Sequence, residues 1–139
     1  MKRLAPYALY LAWLPALFSL LISLYLGEGL GWPVCALCWY QRIALYPLAL
    51  LLGIAAYRAD PHIIPYSWPF VMINALIAAI QYIEQLKPTW FTLSVCHMGA
   101  SCTEIVWQWG FITLPFLSFC ISVWIGYWLW VAAQQHRLS

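Results

Sequence analysis

Tyr7-Ala8-Leu9-Tyr10-Leu11-Ala12-Trp13-Leu14-Pro15-Ala16-Leu17-Phe18-Ser19-Leu20-Leu21-Ile22-Ser23-Leu24-Tyr25-Leu26 contains no charged residue, and its reading decides the fold. A helix rises 1.5 Å per residue, so about 20 such residues cross the roughly 30 Å apolar core of a bilayer. Lys2 and Arg3 precede the run, which makes a signal peptide the competing reading. Signal peptides carry only about 7 to 15 apolar residues, and Ser23-Leu24-Tyr25-Leu26-Gly27 lacks the small residues of a cleavage site. The segment is therefore read as a retained first span.

The rest of the chain repeats this character. Of 139 residues, 65% are hydrophobic and 7% charged, against roughly 25% charged in an average soluble domain. The expectation is an all-α membrane protein, a four-transmembrane-helix bundle with short extracytoplasmic loops in a single domain covering 1–139. The spans are placed at about 7–26, 40–57, 65–84 and 113–133, with the lipid bilayer as a partner. The net charge of +2 comes from scattered residues, with no basic run to neutralise a row of phosphates, so nucleic acid is excluded.

Between the first two spans, Gly27, Glu28, Gly29, Gly31 and Pro33 read as a short loop. Arg58-Ala59-Asp60-Pro61-His62 reads as a polar turn before the third span, which tolerates Pro65 and Pro69 near its first turn. Glu84, Lys87 and Pro88 end that span. The uncharged run from Ile105 to Gln135 is longer than one crossing, so Ile105 to Gly110, with Trp107 and Trp109, is assigned to the interface. Lys2, Arg3, Arg58 and Arg137 fall on one side and Arg42 and Lys87 on the other. The positive-inside rule then puts both termini in the cytoplasm.

Five cysteines stand out in so apolar a chain. Cys35-Ala36-Leu37-Cys38-Trp39-Tyr40-Gln41-Arg42 places a dithiol at the start of the second span, and Cys96 and Cys102 lie between the third and fourth. Both pairs face the exterior in this topology, where disulfides persist. Disulfide scaffolds of secreted domains are polar and loop-rich, so redox chemistry or metal binding remains. Zinc is disfavoured because five residues separate the second pair, against the usual two to four. Covalent haem needs histidine where Trp39 stands. No metal is assigned.

A helix N-terminus favours negative charge on a thiol, and Arg42 follows Cys38 by one turn on the same face. Cys38 is thus the candidate thiolate. An arginine at the hydrocarbon edge either snorkels to the headgroups or faces a partner, water or ligand. Beside a dithiol, Arg42 is read as donating to a flat lipid-soluble acceptor with carbonyl oxygens, such as a quinone. Glu84 is a possible ion-pair partner for it. Cys96 and Cys102 form either a structural staple or a second redox pair, exchanging with the first if the loop lets sulfur attack sulfur in line. His97 is equally a base or a chance neighbour. Cys120 is read as a packing residue, and His62 and His136 as solvated cytoplasmic residues.

These residues resemble the DsbB and BdbC family of disulfide formation proteins over essentially the whole chain: four spans, a Cys-x-x-Cys before the second with arginine four residues on, and a later cysteine pair. The short second loop is similar to the BdbC type. The resemblance implies a thiol:quinone oxidoreductase of the bacterial cytoplasmic (inner) membrane that uses ubiquinone or menaquinone. It would reoxidise an extracytoplasmic DsbA-like thioredoxin-fold partner. It further implies that Cys96 forms the mixed disulfide with the partner and Cys102 completes that pair. Cys35 and Cys38 would accept the electrons next, with Cys38 and Arg42 at the quinone. The alternatives are a quinone reductase like vitamin K epoxide reductase, whose Cys-x-x-Cys lies later in the bundle, and a non-enzymatic membrane subunit braced by two disulfides.

Overall fold

The computed structural model describes residues 4–32, 34–87 and 108–138. Helix α1 spans Leu4–Leu24 and runs into a π-helical turn, Tyr25–Gly29. Helix α2 spans Ala36–Arg58, a 3-10 turn covers Pro61–Ile63, and α3 spans Ile64–Leu86. Strands β1 (Gln108–Trp109) and β2 (Ile112–Thr113) precede α4, Leu114–Arg137. All four helices are long and apolar enough to cross a membrane. Each packs against the next in chain order, and α4 closes the ring against α1.

Three local findings differ from the sequence reading. The glycine-rich stretch after the first span does not break away as a loop at Gly27. It stays helical through Gly29 with a wider turn, in which Leu30 N–H bonds to the Tyr25 carbonyl at 3.1 Å. Helix α2 begins at Ala36, four residues ahead of the expected start near residue 40, while the dithiol stands at the helix start as expected. Between Gln108 and Thr113 the chain forms a hairpin, with Trp109 opposite Ile112. Gly110 has φ 65° and Phe111 an ordinary negative φ, the pattern of a II′ turn.

The prolines are accommodated by side chains. Pro15 has no N–H for the Leu11 carbonyl, and Trp124 Nε1 on α4 donates to that oxygen at 3.1 Å. This bond ties the two helices together at the point where one lacks an internal bond. Asp60 accepts from the His62 N–H at 2.9 Å and caps the turn opened by Pro61. Ala59, just before it, sits in the left-handed region at φ 51°.

The core is built from small and branched side chains. Ala8, Ala12 and Ala16 repeat every four residues on α1 and are buried, which lets the neighbouring helices approach closely. Leu48 and Leu52 of α2 and Ile125 and Leu129 of α4 fill the space between them. Large apolar side chains such as Leu50, Leu76, Val123 and Trp130 point outward, as lipid contact requires. Along α3 the inward face also carries polar residues: Ser67, Asn74 and Gln81, each two turns apart, are buried alongside Ile64, Val71 and Ala78.

Candidate active site

Cys35 is the N-cap residue of α2, with extended backbone at φ −75° and ψ 165°, and Cys38 sits one turn inside the helix. Their sulfurs are 3.1 Å apart. Cys35 is buried, and Cys38 partly so. The hydrogen bond to Cys38, followed by burial, pushes the Cys35 thiol above its ordinary pKa. Either sulfur can donate to the other across this contact.

A second donor comes from α3. Gln81 Nε2 lies 3.3 Å from Cys35 Sγ and 3.2 Å from Cys38 Sγ, so one amide nitrogen faces both sulfurs. Its Oε1 in turn accepts from Gln41 Nε2 at 3.1 Å. The two carboxamides are buried and fix one another, leaving the N–H groups of Gln81 aimed at the dithiol. Gln81 escaped the sequence reading. The signal that could have found it is the uncharged polar stripe Ser67, Asn74 and Gln81 inside an apolar span.

Arg42 is 2% exposed and does not reach out to the headgroups. Its Nε donates to Ser23 Oγ at 3.0 Å and its Nη2 to the Ser23 carbonyl, at the end of α1. Trp39 lies beneath the guanidinium, 5.2 Å from ring centroid to Cζ. The carboxylate it meets is Glu28, 3.9 Å away in the π-turn. Gly27 is required by this contact, since a Cβ there would overlap Arg42 Nη2. Nη1 has no hydrogen-bond partner among the described residues.

A cavity of about 250 Å³ lies beside the dithiol. Cys38, Gln41 and Gln81 form one side of it, Ser19 and Ser23 lie on α1, and Leu114 and Ser118 on α4. Cys35 and Arg42 are not on the wall; Arg42 reaches it through Ser23. Phe18, Ile22 and Leu117 line the cavity and are also exposed on the outside of the bundle, so it opens sideways between α1 and α4. An apolar chamber with one sulfur and a few amide and hydroxyl groups suits a flat apolar molecule with polar oxygens.

Thus Cys35, Cys38 and Arg42 come together at one end of the bundle. Cys96, Cys102 and His97 lie outside the described residues. Glu84 is buried on α3, and Cys120 is exposed on α4. His62 and His136 are exposed, as read, and pack edge to face with centroids 5.2 Å apart.

Comparison with known proteins bears on this arrangement. Residues 5–132 match the family model described as Disulfide bond formation protein DsbB. The chain belongs to the DsbB family. Among DsbB-family relatives, a probable disulfide formation protein of Coxiella burnetii (strain Dugway 5J108-111) is 44% identical over 94% of this chain and 90% of its own length. The disulfide bond formation protein C of Bacillus subtilis (strain 168) is 42% identical over 79% of this chain and 80% of its own. A probable disulfide formation protein of Chlamydia trachomatis serovar D is 43% identical over 84% and 85%. No solved structure matches. As a DsbB-family membrane protein, this chain has a role in disulfide bond formation.

Proposed function

We propose that this DsbB-family chain is a protein-dithiol:quinone oxidoreductase of the bacterial cytoplasmic membrane, oxidising an extracytoplasmic thioredoxin-fold partner. The carrying observation is that Cys38 touches Cys35 and also stands on the cavity wall. One sulfur thus faces both a disulfide partner and a site for a lipid-soluble acceptor.

The donor set fits a quinone: the walls are mostly apolar, and Gln41, Ser23 and Ser118 offer hydrogen bonds to carbonyl oxygens. Quinone, when bound, supplies acceptance of two electrons and two protons, becoming quinol. The partner's dithiol loses the same two electrons and two protons as its disulfide forms, so the exchange balances. In this reading Cys96 and Cys102 receive the partner's electrons and pass them to Cys35 and Cys38 by thiol-disulfide exchange. Gln81 holds Cys38 as the attacking sulfur. Arg42, buried and fixed on Ser23, supplies positive charge next to the cavity as negative charge builds there. Both termini are then cytoplasmic.

The test is quinone reduction by the purified protein in detergent, with a soluble dithiol donor. The parent chain should turn over, Cys38→Ser should be inactive, and Arg42→Ala should need more quinone. A parent that never reduces quinone while its disulfides stay intact overturns the proposal.

A further inference from the structure

Asn74 and Ser122, both buried, and Ser118, partly so, form a polar cluster between α3 and α4 that the dithiol chemistry leaves unused. Polar side chains inside a membrane bundle are costly and are kept where they have work to do. The direction of each hydrogen bond in this cluster can be fixed. Ser122 Oγ donates its only proton to the Ser118 carbonyl at 2.9 Å, one helical turn back. It must therefore accept from Asn74, whose Nδ2 lies 2.8 Å away. That fixes the carboxamide, and its other N–H points to Ser118 Oγ at a longer 3.4 Å. Asn74 Oδ1 is buried without a partner among the described residues, an orientation that costs stability but keeps both amide protons on the serines.

One proton is left over. Ser118 Oγ accepts from Asn74, and no acceptor for its own O–H is found among the described residues. Its side chain lines the same cavity as Cys38. Of the α4 residues on that wall, Leu114, Pro115, Leu117, Ser118 and Ile121, only Ser118 can donate a hydrogen bond. A 1,4-quinone carries its two carbonyls on opposite edges of the ring. If one edge stood at Cys38 and Gln41, the other would be within the part of the cavity lined by α1 and α4.

We propose that Ser118 donates a hydrogen bond to the quinone carbonyl remote from Cys38, with Asn74 as the positioning residue that turns the hydroxyl into the cavity. The inference rests on the quinone reading and assigns one carbonyl of the quinone to one hydroxyl of the cavity wall.

The test compares Ser118→Thr, which keeps the hydroxyl, with Ser118→Val, which has nearly the same shape without it. Full-length protein in detergent, with its cysteines oxidised so that no turnover occurs, is titrated with a short-chain benzoquinone. Infrared difference spectra record the bound carbonyl bands. Ser118→Val should bind about three- to ten-fold more weakly, the size of one neutral hydrogen bond, with one carbonyl band moved to higher frequency. Ser118→Thr should keep the parent's affinity and bands. Asn74→Leu should resemble Ser118→Val, and adding Ser118→Val to it should cost nothing further. If the parent binds benzoquinone and Val and Thr give the same affinity and spectrum, the Ser118 contact is refuted while the quinone reading stands. If the parent binds no benzoquinone, both fall.

Discussion

Replacing Gln81 with leucine deletes the carboxamide that faces both sulfurs while nearly preserving its volume. The structure allows the loss to be sized. Gln81 Nε2 is within 3.3 Å of Cys35 Sγ and 3.2 Å of Cys38 Sγ. A hydrogen bond to a charged group contributes about 1.5–3 kcal/mol, and sulfur is a weak acceptor, so the lower end applies. At about 1.4 kcal/mol per decade, the reactive thiolate at Cys38 should fall by about ten-fold. The assay is the alkylation rate of Cys38 by a small neutral reagent, in reduced protein whose Cys96, Cys102 and Cys120 are serine. Gln41→Leu is the control: it removes only the bond to Gln81 Oε1, which touches no sulfur, and should slow alkylation by less than about three-fold. Parental alkylation of Gln81→Leu with an unchanged melting transition would refute the reasoning. So would an equal loss in both variants, which would mean that the amide pair merely packs.

Three further outcomes are expected. Gly27→Ala puts a methyl group where Arg42 Nη2 lies, so the guanidinium gives up at least one bond to Ser23; the detergent-solubilised protein should lose about 1–2 kcal/mol, read from its unfolding transition. Trp124→Phe leaves the Leu11 carbonyl without a donor and should cost about 0.6–1.7 kcal/mol. In a Pro15→Ala background the residue-15 amide can take over that carbonyl, and the same Trp124 change should then cost much less; equal costs in both backgrounds would show that the indole bond is not what Pro15 requires. Ala59→Gly relieves a left-handed alanine at φ 51° and should stabilise by about 0.5–1 kcal/mol, a rise in melting temperature being the check.

The four helices were legible because absence of charge over about 20 residues is a local property of the chain. The grouping of Cys35, Cys38 and Arg42 was legible for the same reason: they fall within two turns. What the chain does across helices was not. Gln81 is 46 positions from Cys35 and 43 from Cys38, and a single glutamine in an apolar span has no local pattern that names its partner. Arg42 illustrates the same limit. Its placement near the membrane edge raised Glu84 as a possible partner, but the guanidinium turns back across the bundle to Ser23 and Glu28 because the chain stays helical past Gly27. That continuation depends on the π-turn, whose glycines read equally well as a loop. The tryptophans before the fourth span suggested an interfacial stretch and gave no sign of the hairpin at residues 108–113, which rests on the conformation of Gly110 and Phe111.

The sideways opening of the cavity at Phe18, Ile22 and Leu117 changes what concentration means for this protein. A molecule that enters there arrives from the hydrocarbon itself, so occupancy follows its mole fraction in the surrounding lipid, and its concentration in water matters only by way of partitioning. Any apolar tail can stay in the bilayer while the head sits beside Cys38. Diluting such a ligand with added lipid, at constant total amount, should therefore empty the site as effectively as removing it, and a saturation curve becomes meaningful only when plotted per lipid.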